Sequence, residues 1–219
     1  MPSAIELVQT LAVWALPVLL AFTGHAIAMA QLAWRMGDRS EALRERLSWN
    51  PLSHVDPVGT VLVPALLAVM GGFLIGWPKA VPINPTAFRN PRKDLAIVAL
   101  GAVGSNVVMA VAWTLLLKLA LAQDPESGMW IGIRMTAMAG VTINLVFMLF
   151  GLLPVPGFAG GHVVGALLPP AQAARWYNAQ AWSMIIVLVL FVSGLLSVVL
   201  IPPMQGLQRL LFGLAGIGA

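Results

Sequence analysis

An all-α protein that crosses a membrane several times is the fold class this sequence predicts. Three observations lead there. Apolar residues make up 59% of the 219-residue chain and charged residues only 9%, where a water-soluble domain carries about 25% charge. The mean hydropathy of +0.90 excludes a disordered chain, since disorder needs low hydrophobicity and high net charge. The apolar residues are also gathered into runs long enough to cross a hydrocarbon core of roughly 30 Å at about 1.5 Å per helical residue.

The elements follow in order. Residues 7–32 form the first span, interrupted only by Pro17, Thr23, Gly24, His25 and Gln31. The run is too long for a signal peptide and lacks a basic leader, so it reads as a retained span. Residues 35–56 are polar and predict a short surface helix ending before Asn50-Pro51. Residues 58–77 fit either a full span or a re-entrant hairpin. Arg35, Arg39, Arg44 and Arg46 precede them, and Lys79, Arg89, Arg92 and Lys93 follow. A full crossing would put these two basic clusters on opposite sides, against the positive-inside tendency, so a hairpin is expected. Residues 77–91 carry Pro78, Pro82, Pro85 and Pro91 and predict an extended loop.

Residues 95–122 are the next span, with Lys118 placed to snorkel near its end. A polar loop at 123–128 leads to the span 131–153, and 154–170 is irregular, rich in proline and glycine. The last span is 179–201, stopped by Pro202-Pro203. The count is about four transmembrane helices and one re-entrant hairpin. They form a single membrane domain over 1–203. The tail 204–219, with Leu207, Leu210, Leu211 and Leu214 at helical spacing, is expected to lie in the interface. No internal repeat points to a symmetric transporter.

Charge and cysteine narrow the function classes. The net charge is +4 and the isoelectric point about 10.4. Of twelve basic residues, eight fall in the two loops that flank residues 58–77. That pattern describes membrane topology and no nucleic-acid partner, which would need a basic stripe with base-reading elements. With no cysteine, thiolate zinc sites, iron–sulfur clusters and a cysteine nucleophile are excluded.

Polar groups inside spans are costly, so they are the functional candidates: His25, Asn106 and Asn144. His54, Asp56 and His162 lie in loops. A helical zinc pair needs a second histidine four residues after the first, and a glutamate beside the first as general base. After His25 those positions are Ala26 and Met29. Alanine has no base, and a thioether suits Cu(I) rather than zinc. From spacing alone, His25 is hydrogen-bonded within the helix bundle. Asn106 and Asn144 either bridge helices or line a groove for an extended substrate backbone.

An ordered series of motifs carries a family resemblance. Arg35-Met36-Gly37-Asp38 follows the first span. Asn50-Pro51-Leu52-Ser53-His54-Val55-Asp56-Pro57 comes next. Gly76-Trp77-Pro78 through Asn84-Pro85, Phe88-Arg89-Asn90-Pro91-Arg92 and Ser105-Asn106 follow. Asn144, Leu152-Leu153-Pro154-Val155-Pro156 and Gly160-Gly161 complete the series. The chain resembles the site-2 protease family of intramembrane zinc metallopeptidases, in its short bacterial form, over about residues 23–169. The resemblance implies a site-2-protease-like core in the bacterial cytoplasmic membrane. It also implies where the chemistry should be.

The family's catalytic positions carry other residues here. His25 keeps the first zinc-ligand position. Ala26 stands at the general base, Met29 at the second ligand and Ala159 at the third. Gly151 replaces the asparagine that opens the last motif, and Ala102-Val103 a glycine–proline. Three protein ligands and a water make a catalytic zinc site, and loss of a general base alone costs about 10²–10⁴-fold in rate. The expectation is a pseudoprotease with no cofactor. It would bind or regulate a transmembrane or extended protein segment along Asn106, Asn144 and an irregular stretch opened by Pro154 and Pro156. The first alternative is an active zinc protease with ligands relocated to His25, His54 and His162. A second is a membrane carrier on the same core. Oligomeric state is not legible in the sequence.

Overall fold

The computed structural model describes residues 3–62, 66 and 77–218. Among them the chain is an all-α polytopic membrane protein, and five helical stretches are long and apolar enough to cross a membrane. Helix α1, Ala4–Met36, begins with a capping box: Ser3 Oγ accepts the Glu6 N–H, and the Glu6 carboxylate accepts the Ser3 N–H. Such a box satisfies two of the free donors of a first turn. The helix ends at Gly37, whose φ of 120° is open only to glycine, and whose Cα lies close against the Ala87 carbonyl. A short helix α2, Glu41–Arg44, follows, held by the exposed Arg44–Glu41 ion pair. Helices α3, Pro91–Leu121, and α4, Gly128–Gly151, are the next two spans.

The register of the central helices can be read from their contacts. Gly101 of α3 lies against Leu32 of α1 so closely that a Cβ there would collide. His25 bonds to Asn106. The residue numbers run in opposite directions, so α1 and α3 are antiparallel. Asn106 meets Asn144, and Val103 meets Gly151, so α3 and α4 are antiparallel as well. Small residues at such crossings let backbones approach where lipid supplies no hydrophobic drive between helices. Gly140 of α4 likewise receives the face of Trp113. The core splits into two clusters. One joins Val103, Trp113 and Leu117 of α3 to Val141, Leu145 and Met148 of α4. The other joins Ala30 and Ala33 of α1 to Leu43, Phe88 and Val98.

Three expectations are corrected. The stretch 154–170 is not irregular throughout: it contains helix α5, Ala159–Leu167, and only 152–158 is turn and loop. The last span does not run unbroken over 179–201. Helix α6, Pro170–Asn178, a single turn at Ala179–Trp182 and helix α7, Ser183–Val192, make one span-length stretch. It stops at Gly194, which is left-handed with φ of 74°. Helix α8, Leu195–Ala215, then runs through Pro202 and Pro203 without stopping. Proline already has a helical φ, and its cost is the missing donor; membrane helices tolerate that loss where neighbours supply other partners. The second half of α8 lays Leu207, Leu211 and Phe212 against the α3–α4 cluster.

The hairpin expected within 58–77 lies largely outside the described residues. Its approach is described: a wide helical turn at Pro57–Leu62, in which Asp56 Oδ1 accepts the N–H groups of Val58 and Gly59. Trp77 N donates to Gly59 O at 3.1 Å, and Thr60 Oγ1 donates to Trp77 O at 2.8 Å. Residues 59–60 and 77 therefore sit side by side.

Candidate functional site

Three helices meet at one chain of hydrogen bonds. His25 Nδ1 lies 2.7 Å from Asn106 Oδ1, Asn106 Nδ2 lies 3.1 Å from Asn144 Oδ1, and Asn144 Nδ2 lies 2.9 Å from Gly140 O. Both asparagines are fully buried and His25 is half-buried. The last acceptor fixes the direction of every bond. A carbonyl can only accept, so Asn144 turns its NH2 to Gly140 and its oxygen to Asn106. Asn106 must then donate with its NH2 and accept with its oxygen. His25 Nδ1 must therefore carry a proton and donate it. The lone pair of His25 is left on Nε2.

The neighbouring positions are packed with carbon. Ala26 is 1% exposed and Ala159 8%. Ala159 sits in the α3–α4 cluster beside Val103 and Met148. Met29 packs against the cluster of Ala30, Ala33, Leu43, Phe88 and Val98. The two departures at 103 and 151 touch: a Cβ on Gly151 would lie 2.9 Å from Val103 Cγ2. Valine on α3 and glycine on α4 therefore fit as a pair.

The other two histidines are engaged elsewhere, and His162 lies in helix α5 and not in the loop expected for it. His54 is fully buried and donates from Nε2 to Ser48 O at 2.8 Å. His162 stacks on Tyr177, with ring centroids 5.9 Å apart. Among the described residues, no three His, Cys, Asp or Glu side chains are grouped so as to hold a metal ion. The ligand positions that the resemblance implies do not fit zinc: they carry His25, Met29 and Ala159, one imidazole where three nitrogen or oxygen ligands are needed.

Pro154 is exposed and Pro156 buried in the turn between α4 and α5. Three of the carbonyls here are answered within the protein. Leu153 O accepts Val155 N, Val155 O accepts Phe158 N, and Pro156 O accepts the Ser183 hydroxyl. Gly161 of α5 lies so close to the Val155 carbonyl that a Cβ would collide. No hydrogen bond joins this turn to Asn106 or Asn144.

Sequence reasoning missed two anchors. Arg134, inside α4, donates to the carbonyls of Ala120, Gln123, Asp124 and Pro125, closing the loop after α3. Its signal was a lone arginine within an apolar run. Asp38 is 1% exposed, and its carboxylate accepts Ser40 N at 3.0 Å and Asn84 N at 2.7 Å. Burial alone would raise its pKa, yet these hydrogen bonds hold it below the usual carboxylate range.

A polytopic helical core with an interhelical His–Asn–Asn line, entered by a Gly37-Asp38 corner and closed by a proline–glycine turn, is the architecture the motifs describe. The protein named "Putative zinc metalloprotease YwhC" of Bacillus subtilis (strain 168) is 34% identical over 187 residues, 84% of this chain and 82% of that one. "Putative zinc metalloprotease Rip2" of Mycolicibacterium smegmatis (strain ATCC 700084 / mc(2)155) is 31% identical over 192 residues, 87% of this chain and 69% of that one. Its counterpart of the same name in Mycobacterium tuberculosis (strain ATCC 25618 / H37Rv) is 29% identical over the same span. The chain belongs to the site-2 protease family. No family model matches it, and no solved structure does.

Proposed function

We propose that this chain is a proteolytically inactive member of its family that binds or regulates segments of other membrane proteins, in the bacterial cytoplasmic membrane. The observation that carries the reading is the donor set. Peptide hydrolysis by a metal site needs a metal that polarises the carbonyl and lowers the pKa of its water to about 7. Here His25 is the one imidazole at the family's ligand positions, with Met29 and Ala159 at the other two and Ala26 at the general base. What remains of the site is a structural bridge between α1, α3 and α4. The separate engagement of His54 and His162 supports this reading over relocated ligands.

Zinc per chain tests it, in detergent-purified protein after exchange against a mild chelator. Near-zero occupancy is expected. Occupancy near one would overturn the reading and make proteolysis the leading function. The triple variant Ala26→Glu, Met29→His and Ala159→Asp restores the family's donors and should raise zinc occupancy well above the parent.

A further inference from the structure

The basic loops build a cleft that the buried site does not use. It has a volume of about 460 Å³ and is lined by Arg35, Arg39, Arg89, Asn90 and Asp94, where α1 ends and α3 begins. The antiparallel register brings these ends together: Leu32 meets Gly101, so Arg35 lies level with the first turns of α3.

The basic residues of this end divide by what they do. Arg46 donates to Ser53 O and Arg92 to Leu168 O, and Arg44 pairs with Glu41. The first two tie the fold together, and the third already has a carboxylate partner. Arg35 and Arg89 are exposed and, among the described residues, form no ion pair. Arg39 lies over the ring of Trp34, 4.5 Å from its centroid, which steadies the guanidinium without neutralising it. Of the two carboxylates nearest the cleft, Asp38 is buried under Ser40 N and Asn84 N, and Asp94 accepts the Asn90 N–H at 2.9 Å. Backbone donors leave both carboxylates charged, so three guanidiniums stand against two carboxylates and positive charge remains in excess.

We propose that this cleft binds the headgroup phosphate of an anionic phospholipid. Guanidinium forks match phosphate oxygens, and basic residues beside a membrane span attract anionic lipid. A lipid is favoured over a free phosphate because α3, which begins at the cleft, exposes apolar side chains further along. Ile97 and Leu100, in the second and third turns of α3, are 47% and 40% exposed and offer a surface for acyl chains. Trp34, in the last turn of α1, is of the residue type that anchors spans at the interface.

Native mass spectrometry of the full chain in a zwitterionic detergent tests this, with dioctanoyl-phosphatidylglycerol and dioctanoyl-phosphatidylcholine as probes. The anionic lipid should bind about tenfold more tightly. The double variant Arg35→Gln/Arg89→Gln should bring the two lipids close to parity, while Arg209→Gln, on α8, should keep the parent's preference. Equal binding of the two lipids by the parent would overturn the proposal whether or not the variant folds. So would an unchanged preference in a folded double variant. Displacement of the lipid by an equal concentration of inorganic phosphate would make this a free-anion site and overturn the lipid assignment.

Discussion

The loop end of the molecule and its buried centre have treated the family's pattern differently. At the loop end the motif residues stand and each has a local task. Gly37 turns the chain, Asp38 clamps residue 84, Asn50 and Asn84 accept the N–H groups two residues on, and His54 holds Ser48. None of these tasks involves a metal. At the centre, the positions that the resemblance assigns to a metal or a base carry Ala26, Met29 and Ala159, and the polar contact there is the His25–Asn106–Asn144 line. On the proposed reading, the difference separates residues that hold the fold from positions whose use in the family is chemistry.

That separation can be broken by experiment. The largest effect is expected at the loop end. Asp38→Asn places an NH2 against a backbone N–H and removes the charge that two donors serve. The cost should be about 2 kcal/mol, the range of hydrogen bonds to a charged group, read as a lower thermal midpoint in detergent. The pH dependence has a definite sign. A carboxylate whose folded pKa is depressed contributes fully above its unfolded value of about 3.9 and loses that contribution as pH falls through the folded value. The parent should hold its stability down to about pH 5 and lose it below about pH 4, and Asp38→Asn should flatten that acid limb. A variant as stable as the parent would remove the contrast between the two regions.

An intermediate effect is expected where Val103 and Gly151 meet. Gly151→Ala should cost about 1–2 kcal/mol because its Cβ meets Val103 Cγ2. Val103→Ala in the same chain should recover part of that cost. A thermal double-mutant cycle showing strict additivity would mean that the two positions changed independently. The smallest effect is expected for Asn144→Leu, at roughly 0.6–1.7 kcal/mol, the range for hydrogen bonds between membrane helices. A loss larger than that of Asp38→Asn would show that the centre, and not the loop end, carries the fold.

Much of this architecture is legible in the sequence, because apolar run length reports spans directly. The expected spans at 95–122 and 131–153 match α3 and α4 within a few residues at each end. The misreadings share a cause. Pro202-Pro203 and the stretch 154–170 were judged by residues that break helices in water, while α8 runs through its prolines and α5 is built from Gly160, Gly161 and Gly165 packed on neighbours. Tertiary contact overrode local propensity in both. The pairing of Val103 with Gly151 was invisible for another reason: two departures 48 positions apart in one chain are related only by the register of α3 on α4. At the candidate site, the sequence pointed to His25, Asn106 and Asn144 singly. The order of donors and acceptors needed the Gly140 carbonyl to close it.

That order has a consequence for charge movement. Imidazole passes a proton along by accepting on one nitrogen and releasing from the other. Nδ1 of His25 faces an amide oxygen, the next link is another amide, and the line stops at a peptide carbonyl. Amide groups do not ionise near neutral pH, so a proton that reaches Nε2 finds no conductor beyond Nδ1 and must leave by the way it came. Wired to its neighbours this way, His25 is a terminus and not a relay.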